Sequence, residues 1–404
     1  MIEPTKRAAL KSPSIPKSIW ALGFVSLLMD VSSELIHSLL PVFMAAVLGM
    51  SAFSIGLIEG VAEATALIVK VFSGALSDWW GKRKPLALLG YGLGAASKPL
   101  FALAGGAGLI VAARFIDRVG KGIRGAPRDA LVADLAPPQI RGAAFGLRQA
   151  LDTVGALIGP LLALGLMLLW AGDFRAVFWV AVIPAFLAVA LLGWGVQEPE
   201  RRVEGKRVNP IQRRNLVRLP SAYWWVVGIG AVFTLARFSE AFLVLRANEG
   251  GLPIAWTPLV LVGMNVVYAA AAYPFGKLAD RMRHETLLAW GLSLLIVGDA
   301  LLAIGNHWTW VWAGITFWGL HLAMTQGLLA TMIAAAAPAD LRGTAYGVFN
   351  LVAGLAMLVA SALAGLLWDQ FGARVTFIAG GVFAILALVG LVSRDRWNRG
   401  ASPR

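Results

Sequence analysis

Ionisable side chains recur inside stretches of this chain that are otherwise long and apolar. Asp30, Glu34 and His37 follow one another at helical spacing and would share one face of a helix. Glu59, Glu63 and Lys70 repeat the arrangement in the next apolar stretch. Arg114, Asp117, Arg118 and Lys121 make a charged stripe over two turns of another, and Arg148 with Asp152 follow in the one after. A charge held at mid-bilayer costs about 3 kcal/mol on insertion scales, so each of these groups is a candidate for function. Carboxylates, guanidinium groups and an imidazole at such depth can exchange protons, pair with one another and hold a charged solute. Other chemistries lack their residues. Cysteine is absent, which excludes disulfides, thiolate metal sites and a cysteine nucleophile. The histidines have no metal-ligand spacing. No phosphate-cradling loop ending in Gly-Lys-Ser/Thr is present, which argues against direct ATP drive.

The elements that must carry these groups are membrane helices. Of the 404 residues, 58% are hydrophobic and only 14% charged. A soluble domain is usually about half apolar and about a quarter charged. One aqueous core could not hide this excess, and a bilayer resolves it. The 45 glycines and 19 prolines are compatible with membrane helices, and the 16 tryptophans suit interfacial belts, as in Trp308, Trp310 and Trp312. Apolar segments long enough to cross a bilayer are predicted at 19–43, 53–77, 85–105, 107–128, 142–170, 174–196, 222–246, 256–279, 286–304, 308–334, 343–368 and 372–393, numbered below as spans 1 to 12. The first carries Asp30, Glu34 and His37 and no clear cleavage site, so it reads as a retained span rather than a signal peptide.

Charge sets the expected orientation. The net charge is +13, and the basic residues sit mainly between spans. They read as topology signals and contacts to anionic lipid rather than as a nucleic-acid surface. Lys6, Arg7, Lys11 and Lys17 precede span 1, and Lys82, Arg83 and Lys84 follow span 2. Arg201, Arg202, Lys206, Arg207, Arg213, Arg214 and Arg218 fill the one longer link. Arg281, Arg283, Arg394, Arg396 and Arg399 lie on the same side, whereas the other side holds little beyond Arg175 and Arg374. Both termini and the link are therefore expected in the cytoplasm.

That link divides the chain into halves that resemble one another. Residues 1–196 would form one six-helix bundle, 197–220 the cytoplasmic link and 221–404 the second bundle. Ala136-Pro137-Pro138-Gln139-Ile140-Arg141-Gly142 opens span 5, and Ala337-Pro338-Ala339-Asp340-Leu341-Arg342-Gly343 opens span 11. Gly74-Ala75-Leu76-Ser77-Asp78 ends span 2, and Gly276-Lys277-Leu278-Ala279-Asp280 ends span 8. Both matches are offset by about 200 residues, the pattern of a parallel internal repeat. The expected fold is all-α, a polytopic membrane protein with 12 transmembrane helices in two pseudo-symmetric six-helix bundles.

At these residues the chain resembles the major facilitator superfamily. Its signature between spans 2 and 3, G-x-x-x-D-[RK]-x-G-[RK]-[RK], is matched by Gly74, Asp78, Gly81, Lys82 and Arg83, with Trp79 departing at the first basic position. The second copy keeps Gly276, Asp280 and Arg281 but has Arg283 where glycine is usual. The resemblance implies a conformational gate at Gly74, Asp78, Gly81, Lys82, Arg83, Asp280 and Arg281. It also implies a small-molecule substrate, protons as coupling ion, no cofactor, and a monomer in the lipid bilayer. Arg118, Lys121 and Gly122 resemble the span 4 pattern of superfamily antiporters, with Lys for Gln. Gly146, Gly155, Gly159 and Pro160 resemble the span 5 antiporter pattern, with Ala163 and Leu164 replacing its last glycines. That resemblance implies efflux, although small residues would let span 5 pack or bend in an importer too. The segments 30–34 and 120–130 resemble a bacterial subgroup labelled multidrug-resistance-like.

The expected function is proton-coupled export of a small organic compound by alternating access. Asp30, Glu34, Asp117 and Arg118 are the proton-coupling candidates. A carboxyl withdrawn from water can hold a proton and release it as a cavity alternates, with Arg118 as the charge whose approach would favour release. Glu59, Glu63, Arg114, Arg148, Asp152, Arg237, Glu240 and Gln326 are the substrate-cavity candidates. The second half is poorer in such groups, so proton chemistry is expected in the first. Blander roles stand beside these. Asp117 with Arg114 or Arg118 would make a structural pair, Lys70 would snorkel, and His37 would be a satisfied polar residue near the outer end of span 1. Lys121, Arg124 and Arg128 would be mouth or gate charges. The excess of Arg114, Arg118, Lys121, Arg148 and Arg237 would also suit an organic anion, such as a siderophore or a carboxylated metabolite. A membrane receptor or scaffold and an intramembrane enzyme are the alternatives outside transport; the dense first-half charges argue against the first, and the absence of a nucleophile–base or metal cluster against the second.

Overall fold

A computed structural model of the chain describes residues 15–198, 216–279, 281–338 and 341–400. Lys6, Arg7, Lys11, most of the basic link, Ala339, Asp340 and Asp280 lie outside the described residues, as do the side chains of Asp78, Arg394, Arg396 and Arg399. The fold is all-helical among the described residues, with twelve helical spans. In the first half these are Lys17–Val47, Ala52–Trp80, Lys84–Ala102, Ala107–Leu135, Arg141–Leu169 and Phe174–Gly195. In the second they are Ser221–Glu249, Leu259–Ala279, His284–Ile304, Trp308–Ala336, Arg342–Phe371 and Ala373–Gly400. Eleven are long and apolar enough to cross a bilayer on length and composition alone. Span 4 is as long, at 29 residues, but carries the 114–121 charges. It crosses because neighbouring helices surround those charges, not because its sequence is apolar.

Local chemistry fixes several ends. The Ser51 hydroxyl accepts from the Ser54 N–H at 3.2 Å and caps span 2. Gly81 ends that helix at φ +73°, the left-handed position where a side chain would be strained. Asp173 caps span 6 through the N–H groups of Arg175 and Ala176.

Three spans expected as single runs are broken. Span 1 turns at Ser38 and continues as Leu40–Val42 and a wide turn at Phe43–Val47. Span 7 stops at Ala236 and resumes at Ala241. Span 10 stops at Thr325 and resumes at Leu328 across Gly327, whose φ is +87°. The freed backbone in span 7 finds partners: the Ser239 N–H bonds the Ser361 hydroxyl at 3.2 Å, and the Ser239 hydroxyl accepts the Ala241 N–H at 3.3 Å. Broken membrane helices survive only where protein or a cavity satisfies such groups.

The helix neighbours repeat as well. In the first half span 1 packs on spans 5 and 6, span 4 on spans 2 and 3, and span 3 on span 6. In the second half span 7 packs on spans 11 and 12, span 10 on spans 8 and 9, and span 9 on span 12. The halves meet where span 2 crosses span 11 and span 5 crosses span 8. Ile183, Phe186 and Leu187 of span 6 and Ile385, Leu386 and Val389 of span 12 point outward and stay exposed, as a hydrocarbon-facing surface requires. By helix direction, one end of the body carries Lys17, Gly195, Ser221 and the last turns of span 12. It is called the terminal end here, and the other the distal end.

The distal end is the closed one. Both carboxyl oxygens of Asp369, near the end of span 11, accept backbone N–H groups at the start of span 2: Ala52 at 2.9 Å and Phe53 at 2.8 Å. Beside this clasp Phe242 packs at a tilt against Trp368 with ring centres 5.6 Å apart. Gly56, Gly60 and Gly365 let the two backbones close, since a Cβ at each would collide with the other span.

Candidate functional site

Two chambers lie between the halves, of about 270 Å³ toward the distal end and about 500 Å³ toward the terminal end. Arg237 and Glu240, on either side of the break in span 7, line both.

The inner chamber holds most of the first-half charges. Glu34, His37, Glu59, Glu63, Arg114, Arg118 and Lys121 all reach it. They form a connected network. Arg114 donates to Glu59 and also contacts His37. Arg118 pairs with Glu63 at 3.1 Å and touches His37 at 3.2 Å. His37 lies 3.7 Å from Glu34 and 3.6 Å from Asp117. His37 is therefore not a peripheral polar residue but the hub of the network. His37 is the last residue of the first helix of span 1, just before the turn at Ser38.

Asp117 sits behind the wall rather than in the cavity. It is almost wholly buried and pairs with Lys98 of span 3 at 2.8 Å, while Lys98 also donates to Ser33 at 3.1 Å. Lys98 is fully buried and was not singled out in the sequence. Its position in an apolar helix was the signal that could have found it. Arg124 also departs from expectation. It is 5% exposed and covers the face of Tyr91 at 4.8 Å, so it is a buried interhelical group, not a mouth charge. Gly90, Gly94 and Gly120 make room for this close packing of spans 3 and 4.

The wider chamber holds Asp30, Asp152, Arg237, Glu240, Asn265 and Gln326. Asp152 pairs with Arg148 at 2.7 Å. Arg148 is buried and holds this acid without itself lining either chamber. The Asp30 side chain makes no hydrogen bond or ion pair among the described residues. Lys121 likewise has none, and Lys70 is exposed.

The span 5 glycines take a specific place. A Cβ on Gly155 would come within 2.6 Å of the Leu27 carbonyl and 3.0 Å of the Asp30 Cβ. One on Gly159 would come within 2.8 Å of both the Glu34 Cβ and the Val31 carbonyl. These two residues hold span 1 against span 5 at the turns that bear Asp30 and Glu34. Pro160 is buried beside them, whereas Gly146 faces open space.

Between spans 2 and 3, Gly74 packs toward Ala126 of span 4, and buried Arg83 pairs with Asp134 of span 4 at 3.1 Å. Both contacts stay inside the first half. Lys82 and Arg281 are exposed.

In the second half Asp299 and His321 are buried away from the chambers. One Asp299 oxygen accepts the Trp318 indole N–H at 2.9 Å, and its other has no partner. His321 Nδ1 meets the Gly291 carbonyl at 2.7 Å.

The comparisons agree with this architecture. The model of the Major Facilitator Superfamily matches residues 22–266 and 247–403. The chain belongs to that superfamily and is a secondary transporter, a multi-pass membrane protein. It is 32% identical over 383 residues to an uncharacterized MFS-type transporter, MJ1317, of Methanocaldococcus jannaschii, covering 92% of this chain and 94% of that one. It is 26% identical to the multidrug resistance protein MdtH of Yersinia enterocolitica, covering 86% and 85%. Among solved structures, a bacterial homologue of the human lysosomal transporter Spinster, inward-facing and occupied, superimposes with a TM-score of 0.76 at 15% identity, covering 94% of this chain and 96% of that one.

Proposed function

We propose that this transporter exports a small organic compound in exchange for protons, by rocking residues 1–196 against 221–404 about the 197–220 link. The larger chamber lies toward the terminal end, and the basic loops at that end support reading it as the cytoplasmic side of a bacterial-type inner membrane. The protein acts as a monomer, since one chain encloses the whole pathway. The observation that carries the reading is the seating of Asp30 and Glu34. Two span 5 glycines of the antiporter-like pattern press against the turns bearing these acids, and both acids face the pathway. Asp30 has no ion-pair partner, so it can take up and give back a proton without first breaking a salt bridge. Glu34 meets His37, the hub through which its charge state reaches Arg114 and Arg118. The likeness to MdtH supports the direction.

The organic-anion reading keeps less support. Arg114 and Arg118 are neutralised by Glu59 and Glu63, and Arg148 by Asp152. The apparent basic excess of the wall is thus mostly internal.

The test is transport by Asp30→Asn and Glu34→Gln in proteoliposomes with an imposed proton gradient. Loss of gradient-driven flux in at least one variant, with substrate exchange retained, is expected. Full coupled transport in both would overturn the assignment.

A further inference from the structure

The groups lining the two chambers are not equally satisfied. In the first half, Glu59, Glu63 and Asp152 each hold an arginine, and Glu34 lies beside His37. In the second half, Arg237 and Glu240 are the charged residues that reach the chambers, and neither side chain makes a hydrogen bond or ion pair among the described residues. The Nε of Arg237 is buried without a partner, and its guanidinium rests 5.6 Å over the Phe233 ring. The helix stops just before Arg237 and resumes just after Glu240, so both sit on the unwound stretch. Both groups line each of the two chambers.

We propose that Arg237 and Glu240 are the recognition element for the solute's own charges, and that the preferred substrate is a small zwitterion of the aminocarboxylate class. The guanidinium receives the anionic group in its planar fork, and the carboxylate receives the cationic nitrogen. A simple anion on Arg237 would leave Glu240 uncompensated in the same wall, and a simple cation would leave Arg237 so. A buried charge without a partner is strongly unfavourable, so a solute that satisfies both groups is selected over one that satisfies either. Two first-half groups are also unpaired, but Lys121 lines only the inner chamber and Asp30 only the wider one, whereas Arg237 and Glu240 line both, and the first-half arginines Arg114, Arg118 and Arg148 are already paired. Chambers of about 270 and 500 Å³ suit a small organic solute. This inference rests on the transport reading for its purpose but not for its test, which reads equilibrium binding without a proton gradient.

The experiment uses the full chain in lipid nanodiscs and three matched probes: 6-aminohexanoate, hexanoate and hexylammonium. Binding is read from indole emission, since Trp318 lines the inner chamber, and from the thermal midpoint. The zwitterion is expected to half-saturate at a concentration at least tenfold lower than either singly charged probe. Arg237→Gln should erase its advantage over hexylammonium, and Glu240→Gln its advantage over hexanoate. Arg237→Lys should keep part of the preference and guards against a variant that does not fold. Equal binding of hexanoate or hexylammonium by the unaltered chain would refute the proposal. So would variants that keep the original preference, or the binding of none of the probes. A failure of proton coupling at Asp30 and Glu34 would leave these outcomes unchanged.

Discussion

Removing the Asp369 carboxylate should loosen the distal end and let the halves part there. The carboxylate binds two N–H groups of span 2 at 2.9 and 2.8 Å, across the boundary between the halves. Span 2 keeps its own cap, because Ser51 still accepts the Ser54 N–H. The energy lost therefore belongs to the contact between halves rather than to the helix. A side-chain cap is worth about 0.5–2 kcal/mol, and this one is solvent-exposed, so about 1 kcal/mol is a fair magnitude for Asp369→Ala. With RT near 0.59 kcal/mol, about 1 kcal/mol shifts a two-state equilibrium about fivefold. Asp369→Asn keeps one acceptor and should shift it about half as far in free energy. The chain contains no cysteine, which makes the assay direct. A single cysteine at Met357, in the inner chamber, would be labelled from the distal side by a membrane-impermeant maleimide. Its labelling rate tracks the distally open population, so about a fivefold rise is expected with Asp369→Ala. An unchanged rate in both variants would show that the clasp carries no bias, and the argument from it would fall.

Other substitutions test the remaining structure. Gly155→Leu and Gly159→Val drive a side chain into the span 1 backbone beside Asp30 and Glu34, so both should cut transport severely, whereas Gly146→Ala, which faces open space, should leave it unchanged. Lys98→Met strips Asp117 of a buried partner and should cost about 3–5 kcal/mol in a denaturation series. Adding Asp117→Leu should recover part of that loss, and no recovery would show that the pair is not the relevant unit. Asp299→Ala leaves the Trp318 indole N–H buried without an acceptor, at about 1–3 kcal/mol, with a shift in indole emission as the second readout.

The sequence by itself determined the membrane, the twelve spans and the two related halves. Those follow from segment length, apolar content and a repeat offset, all of which are properties of neighbours along the chain. It also marked Asp30, Glu34 and the 114–121 stripe, because an ionised group in an apolar run is costly wherever the helix packs. Tertiary structure alone decided which charges are spent on each other. Lys98 and Asp117 are 19 positions apart and Arg114 and Glu59 are 55 apart, and no local pattern joins them. It turned Arg124 onto Tyr91, set His37 at the centre of the network and left the Arg237 and Glu240 side chains without a hydrogen bond or ion pair among the described residues. The breaks in spans 1, 7 and 10 were equally hidden, since a membrane helix can open only where another helix or a cavity receives the freed backbone groups. Pairing across helices depends on how the bundles meet, and that meeting, rather than the charge count of any span, fixes what the pathway can still bind.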